Sequence, residues 1–422
     1  MSNKKSIIKN SFWLGIGEFF KNIIKFIITI LLVRYLLPEQ YGELNFANSL
    51  TATIGIMVNL GLSVIMSRDL SVNRSESSKY ISNILSLKLL LGLLFFVVLG
   101  VVAAVYNDKH WTIIIILSGL LFWFEDVSST FAAIFFAEER MEKIFVLTLA
   151  HDFGFILAAL VTVYWKLGIE ELLAGYVFAG AFATFVAYRI TKQSGVNWSL
   201  KFDTAFLAKI LVQSFPLFGV VAITSIYLNV DKLMIGYFLG QDSVGFYQGA
   251  YNFLVVFLGA NIVNAAIFPR LSVYINSDNR PLINQLHRVV GCFLVIALVP
   301  VALISCYYAK DGILIVYGEK MLPSLDVLRV LLWVGVINFL RVYISNILIA
   351  KQKQRYVFFA ALAGLFINSL LNFFFIPRFN ISGAGFSLIV SEITMVVILL
   401  LFQHRRNQIF PYVILPSKSE PT

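Results

Sequence analysis

The chain has 422 residues, of which 59% are hydrophobic and only 13% are charged, and its formal net charge is +10. About a quarter of the residues of a soluble domain are charged, so this composition excludes a soluble protein and indicates an integral membrane protein. The apolar stretches do not alternate polar with apolar residues, which argues against a β-barrel.

Apolar stretches of about 20 residues, the length that a helix needs to cross the hydrocarbon core, recur along the whole chain. We therefore predict an all-α, polytopic membrane protein with twelve transmembrane helices and no large domain outside the membrane. The predicted spans are residues 11–33, 44–66, 81–105, 112–136, 144–165, 171–190, 214–237, 246–268, 289–308, 325–349, 356–376 and 382–402.

The first predicted span has a polar face made of Glu18, Lys21, Asn22 and Lys25. A helix turns 100° per residue, so these positions superpose while phenylalanine, isoleucine and leucine cover the other faces. Ionised groups near a bilayer centre cost at least a few kcal/mol, so we expect this face to line a wet cavity and to bind substrate. The alternative is an internal Glu-Lys pair packed against a neighbouring helix.

Most of the 33 lysines and arginines fall in the two tails and in alternate loops if the N-terminus is placed in the cytoplasm. Because basic residues stay on the cytoplasmic side, both termini are expected there. Topology and an anionic inner leaflet then explain the positive charge, and nucleic-acid binding does not follow from it.

The sequence contains a weak internal repeat. A shift of 203 residues aligns Ser11 with Ser214, and a shift of 202 aligns Ile65–Arg68 with Ile267–Arg270. An even number of helices in each repeat gives two six-helix bundles of the same orientation, a geometry that suits alternating access. The predicted parts are an N-terminal bundle (1–190), a cytoplasmic amphipathic helical linker (191–213), a C-terminal bundle (214–404) and a cytoplasmic tail (405–422).

Further polar residues within the spans are candidates for the cavity. Arg341 is a second possible cation for substrate, although its side chain could instead reach the membrane surface. Polar residues also link helices to one another in lipid, but equivalent positions in the two repeats favour a cavity role for four of them. These four are Asn48, Ser49, Tyr251 and Asn252.

Acidic residues within the spans are candidates for ion coupling, namely Glu125, Asp152 and Asp231. A buried carboxylate either pairs with a cation or takes a proton, and either event can couple transport to H⁺ or Na⁺. Structural pairing with a lysine such as Lys88 is the alternative. His151, beside Asp152, would titrate near neutral pH if it is wet, but a lone histidine is more often a satisfied core residue.

Three strings resemble the polysaccharide-repeat-unit flippases, the Wzx-type members of the superfamily that contains the MATE transporters. They are Arg34-Tyr-Leu-Leu-Pro-Glu-Gln-Tyr-Gly42, Asn59-Leu-Gly-Leu62 ending the second span, and Asp231-Lys-Leu-Met-Ile-Gly-Tyr-Phe-Leu-Gly240 followed by Val244-Gly-Phe-Tyr247. The resemblance covers nearly the full length. It implies a MATE-like fold in the bacterial cell membrane that moves undecaprenyl-pyrophosphate-linked oligosaccharide to the outer leaflet, working beside a polysaccharide polymerase and a chain-length regulator.

Two other functions compete with this expectation. A MATE-type drug or cation antiporter would share the fold, but its cavity should be acidic or aromatic, whereas Lys21 and Lys25 make this one cationic. A membrane-bound polymerase would need a sizeable outer loop, and the predicted outer loops are short. No phosphate-binding loop, metal-spaced His/Cys cluster or nucleophile elbow occurs, so we predict neither an enzyme nor a cofactor or metal site.

Overall fold

The protein is described here by a computed structural model covering residues 24–404, in which the regular elements are all helices. The predicted tail (405–422) and the start of the first span lie outside this range. The α-helices are α1 (24–35), α2 (Pro38–Ile54), α3 (Ile56–Asn59), α4 (Leu62–Val72), α5 (Ser77–Tyr106), α6 (Lys109–Ala137), α7 (Met141–Trp165), α8 (Ile169–Gln193), α9 (Thr204–Leu239), α10 (Gln241–Leu258), α11 (Ile262–Asn276), α12 (Arg280–Cys292), α13 (Val299–Tyr307), α14 (Ala309–Val316), α15 (Leu325–Ala350) and α16 (Gln354–His404).

Within residues 24–404, nine helical stretches are long and apolar enough to cross a membrane, or ten if the bent pair from α2 to α4 is one span. The 51-residue α16 leaves helical geometry at Asn380, so the predicted spans 356–376 and 382–402 lie on either side of a kink. The multi-pass, all-α architecture is confirmed. The number of twelve spans stays a prediction.

Contacts divide the chain into two compact units, Met1–Asn229 and Val230–Thr422, and the boundary lies within α9. In the first unit, α6 is the central helix, because α2, α4, α5 and α8 all pack against it while α7 packs on α8. In the second unit, α15 holds this position and contacts α10, α11, α13 and α16. The predicted bundle boundaries themselves stay predictions.

In each unit, an asparagine lies where the second helical span departs from α-helical geometry. In the first unit, Leu60 and Gly61 have positive φ values of 46° and 70°, and the Asn59 amide donates to the Asp126 carboxylate on α6 at 2.8 Å. In the second unit, a 3₁₀ turn ends at Asn261, whose amide donates to Asn338 on α15 at 3.1 Å. The shift of 202 residues relates Asn59 to Asn261, so the repeat extends to a shared hydrogen-bond pattern.

The linker differs from its prediction. Instead of one amphipathic helix over residues 191–213, α8 continues to Gln193, a non-helical stretch follows, and α9 begins at Thr204. Gly195 with φ 81° follows the end of α8, and the Asp203 carboxylate accepts the Phe206 N–H at 3.0 Å and thereby caps α9. The amphipathic pattern belongs partly to the non-helical stretch, which is tied to α5 because Asn83 accepts the Asp203 N–H at 2.7 Å.

Candidate functional site

The first unit contains a fully buried ion pair between α5 and α6. Lys88 Nζ lies 2.7 Å from Asp126 Oδ2, and the two side chains are 0% and 3% exposed. The same ammonium donates to the Asp126 backbone carbonyl at 2.9 Å and reaches Ser63 Oγ at 3.5 Å. Lys88 therefore takes Asp126 as its partner, and not Glu125 or Asp152, which were considered from the sequence for this pairing.

An open pocket of about 500 Å³, which we call the serine pocket, lies beside this ion pair between α4 and α6. Ser63 on α4 and Ser129 on α6 contact each other across the pocket, with their hydroxyl oxygens 3.0 Å apart. The pocket is lined by Ser63, Val64, Ser67, Arg68, Ser71, Ser129, Ala132, Ala133 and Phe136. Hydroxyls and a guanidinium are the donors with which proteins bind phosphate oxygens.

Sequence reasoning missed the serine pocket because it placed Arg68 in a loop after the second span. The helix resumes after its break and continues to Val72, so Arg68 belongs to α4. Its side chain is 57% exposed, and its guanidinium lies 2.8 Å from the Asp69 carboxylate. The spacing of Ser63, Ser67 and Ser71 by four residues is the signal that could have indicated a polar helix face.

The predicted ion-coupling residues Glu125 and Asp152 lie around His151, in what we call the mid-span triad. His151 Nδ1 is 2.9 Å from Asp152 Oδ1, and His151 Nε2 is 3.1 Å from Glu125 Oε1. The imidazole also stacks on Phe155, with ring centroids 4.3 Å apart. The lone histidine considered from the sequence therefore has two carboxylate partners.

A second histidine, His110, also lies between two carboxylates, at the end of the unit where α2, α6 and α8 begin. His110 Nδ1 lies 2.7 Å from Glu170 Oε1, and His110 Nε2 lies 3.3 Å from Glu43 Oε2. The three residues belong to α6, α8 and α2, respectively. Sequence reasoning did not find this cluster, because its members are far apart in the chain.

In the second unit, the predicted coupling residue Asp231 is buried among hydrogen-bonding groups. Tyr247 donates its hydroxyl to Asp231 Oδ2 at 2.7 Å, and Asn372 donates its amide to Asp231 Oδ1 at 2.7 Å. Asn368 accepts from Asn372 at 3.2 Å, and Asn368 and Asn372 are both fully buried. The side-chain oxygen Oδ1 of Asn372 has no hydrogen-bond partner among the described residues.

The predicted substrate cation Arg341 is engaged within its own unit. Its Nε lies 2.6 Å from Glu392 Oε2, and Glu392 is nearly fully buried, with only 2% of its side chain exposed. Asn338 also donates to Glu392, at 3.3 Å. Arg341 thus balances a buried carboxylate, and 22% of its side chain remains exposed.

The remaining predicted substrate residues divide into three groups. Glu18, Lys21 and Asn22 lie outside the described residues, whereas Lys25 is described and exposed. Ser49 is buried and donates to the Asn45 carbonyl of its own helix at 2.7 Å, so the structure does not place it on a cavity surface.

Asn48, Tyr251 and Asn252 are each half-buried. Asn252 accepts from Gln248 at 2.8 Å, and the Tyr251 ring stacks on Tyr247. The repeat-equivalent residues thus occupy unlike surroundings in the two units.

Two solved structures that share this fold are described as those of a flippase and a transporter. The structure of the lipid II flippase MurJ in an inward closed conformation matches with a TM-score of 0.70 at 15% identity, over 92% of this chain and 87% of that one. An inward-facing multidrug resistance MATE family transporter of the MOP superfamily matches with 0.72 at 13% identity, over 91% and 94%. The chain therefore has the fold of these multi-pass membrane proteins.

Sequence comparisons identify the family. The model of the family described as polysaccharide biosynthesis protein matches residues 7–275, and the MatE model matches residues 216–374. The first match covers more than half of the chain, which therefore belongs to the polysaccharide biosynthesis protein family. The resemblance seen in the sequence motifs is confirmed, and the family and its structural neighbours are transporters and flippases rather than enzymes.

Two similar relatives have names from surface-polymer synthesis. The capsular polysaccharide biosynthesis protein CapF of Staphylococcus aureus is 22% identical over 407 residues, covering 93% of this chain and 98% of CapF. The teichuronic acid biosynthesis protein TuaB of Bacillus subtilis (strain 168) is 22% identical over 374 residues, covering 84% of this chain and 73% of TuaB.

Proposed function

We propose that this protein moves undecaprenyl-pyrophosphate-linked sugar repeat units from the inner to the outer leaflet of the bacterial cell membrane by alternating access. The observation that carries the proposal is the serine pocket, in which Arg68 and four hydroxyls lie beside the buried Lys88–Asp126 pair. The family membership and the names of CapF and TuaB support a glycan cargo. We therefore propose as cargo the undecaprenyl-pyrophosphate-linked repeat units that the sequence resemblance implies.

The chemistry of the serine pocket suits a pyrophosphate. A guanidinium matches phosphate oxygens with paired N–H donors, and the Ser67 hydroxyl can donate to an oxygen that remains. The Ser71 and Ser129 hydroxyls already donate to backbone carbonyls and can only accept. The buried Lys88–Asp126 pair fixes Ser63 on the pocket wall without adding net charge. The polyprenyl tail needs only lipid. We assign Glu18, Lys21, Asn22 and Lys25, which the sequence predicts to share one polar face, to the same route.

Ion coupling by H⁺ or Na⁺ is the second part of the proposal, and Glu125, Asp152 and Asp231 are its residues. The Asp231 site in particular offers a carboxylate, a tyrosine hydroxyl and the side-chain oxygen of Asn372, which has no partner among the described residues. Oxygen ligands of this kind are those that hard cations prefer. We further propose that both termini face the cytoplasm, and that a polysaccharide polymerase and a chain-length regulator act next to the protein.

A MATE-type drug or cation antiporter is the competing function, because the MatE model and the MATE structures share this fold. The two functions differ in what accumulates when the gene is deleted. A flippase deletion leaves lipid-linked repeat units on the inner leaflet and lowers surface polysaccharide. An antiporter deletion instead raises sensitivity to cationic drugs while surface polysaccharide stays normal.

Arg68→Ala in the complemented deletion strain tests the serine pocket. A hydrogen bond to a charged group contributes about 1.5–3 kcal/mol, so we expect surface polysaccharide export to fall about tenfold or more. The matched control is Arg74→Ala, which removes an exposed arginine outside the pocket lining. Wild-type export by Arg68→Ala, at equal protein levels in the membrane, would remove the pocket from the route.

A further inference from the structure

The mid-span triad links α6 and α7 far from either end of both helices. At 1.5 Å per residue, His151 lies about 15 Å along α7 from Met141 and about 21 Å from Trp165. Glu125 is about 24 Å along α6 from Lys109. The side chains of His151, Glu125 and Asp152 are 32%, 44% and 12% exposed, so water can reach the cluster if its open side is wet.

The hydrogen-bond geometry of the triad requires one additional proton. An ionised carboxylate only accepts hydrogen bonds, whereas a neutral imidazole has one donor nitrogen and one acceptor nitrogen. Both ring nitrogens of His151 lie within 3.1 Å of a carboxylate oxygen. Each contact is a hydrogen bond only if the ring is an imidazolium or if one carboxyl group is protonated. Without that proton, a nitrogen lone pair faces a carboxylate oxygen.

The surroundings favour placing the proton on the ring. Burial of the ring disfavours its charged form, whereas Glu125 and Asp152, the charged groups that act on His151 among the described residues, favour it. His151 stacks on Phe155 of its own helix, and Phe155 in turn stacks on Tyr176 of the neighbouring α8, with ring centroids 4.3 Å apart in both pairs. A cation stacked on an aromatic face is stabilised by the ring quadrupole.

We propose that Glu125, His151 and Asp152 form a proton-binding site, and that loss of its proton opens the contact between α6 and α7. When the proton leaves Nε2 for water, the Nε2 lone pair and the Glu125 carboxylate repel each other across the helix pair. Asp152 is on the same helix as His151, so the contact that breaks is the one to α6. As the coupling step of transport, this inference rests on the proposed flippase function, but as a proton site it stands without it.

The proton site is tested by ¹⁵N NMR of the full-length protein, labelled at its four histidines and reconstituted in lipid nanodiscs. His151→Gln identifies the His151 signals. An ordinary histidine, with a pKa near 6.5, is about one-tenth protonated at pH 7.5, whereas we expect the His151 ring to be mostly doubly protonated there. If the His151 ring has a single protonated nitrogen from pH 5.5 to 7.5, carboxyl infrared bands show whether Glu125 or Asp152 holds the proton instead. A proton on either carboxyl group supports the proton site, and a proton on neither overturns the proposal.

Two further variants keep the test specific. Glu125→Gln removes one charge and keeps the side-chain shape, and it should lower the proton affinity of His151 about tenfold or more, equivalent to about one pH unit. His110→Gln is the matched control, because it removes a histidine that also lies between two carboxylates but at a helix end. It should leave the His151 signals unchanged. No effect of Glu125→Gln, or a shift caused by His110→Gln, contradicts the assigned pairing.

The coupling step is tested separately, by surface polysaccharide export in the complemented deletion strain. We expect His151→Gln to lower export about tenfold or more at equal protein level, and collapse of the pH gradient to have no further effect in this variant. Wild-type export by His151→Gln overturns the coupling step and leaves the NMR result intact. If deletion of the gene leaves no lipid-linked glycan behind, the flippase function fails instead, and the proton site is judged by NMR alone.

Discussion

Lys88 has a completely buried ammonium group, and its charge is balanced by a single neighbouring carboxylate. Burying an ion costs several kcal/mol, so such a group persists only when its hydrogen-bond capacity is used. Asp126 supplies a carboxylate oxygen and a backbone carbonyl, and Asn59 holds the other carboxylate oxygen. The sequence identifies Lys88 and Asp126 as ionisable residues within spans. It does not pair them, because the pairing depends on how α5 and α6 are rotated.

Lys88→Met is therefore expected to destabilise the protein by about 3–5 kcal/mol, because it leaves Asp126 buried without its cation. The double variant Lys88→Met/Asp126→Leu should be more stable than Lys88→Met alone, since neither charge is then buried. Thermal unfolding in detergent measures both. The control is Lys79→Met, which removes an exposed lysine 3.9 Å from Asp203 and should change stability little. Additive losses in the double variant would contradict a direct pair.

Among the elements, α7 and α8 approach each other through small residues placed reciprocally. A Cβ atom added to Gly154 would lie 2.6 Å from Ala179 Cβ, and one added to Gly175 would lie 2.9 Å from Ala158 Cβ. Membrane helices pack closely where glycine and alanine let their backbones approach. This contact holds α7 in place beside the mid-span triad.

Gly154→Ala should consequently destabilise the protein, although alanine favours a helix by about 0.5–1 kcal/mol over glycine. The added methyl group meets the backbone of α8 and forces the two helices apart. Gly100→Ala is the matched control, since a Cβ added there meets no atom within 4 Å. It should leave the melting temperature unchanged or slightly raised. Equal melting temperatures for the two variants in one detergent would argue against the close contact.

The bend in the second span of the first unit is a feature that the sequence pattern of the helix could not predict. From the sequence, Asn59-Leu-Gly-Leu62 is the end of a helix, but α4 resumes after it and continues to Val72. The hydropathy of the segment does not distinguish an end from a bend of 43°. The tertiary contact of Asn59 with Asp126 satisfies polar groups at the bend, and it involves a helix far along the chain.

For the molecule as a whole, length, apolar periodicity and motif order are enough to predict the fold class and the family. They also single out Glu125 and Asp152 as ion-coupling candidates, but not that both contact His151, because that depends on the relative rotation of α6 and α7. In both units, an asparagine on the second span contacts the central helix. The residue that the asparagine contacts differs between the units. In the first unit it is Asp126, which pairs with Lys88. In the second it is Asn338, which donates to Glu392, the carboxylate that pairs with Arg341.

The orientation of the whole molecule in the membrane is predicted from the distribution of its lysines and arginines alone. The chain has two cysteines, Cys292 and Cys306, so a cysteine-free background needs only their replacement by serine. In that background, Gln193→Cys at the end of α8 should react with a membrane-impermeant maleimide only in inverted vesicles, because the basic loops stay in the cytoplasm. Lys109→Cys at the start of α6 should react in intact cells. Both positions are exposed, so an exchanged pattern would mean that the termini face outward and that the proposed direction of transport must be reversed.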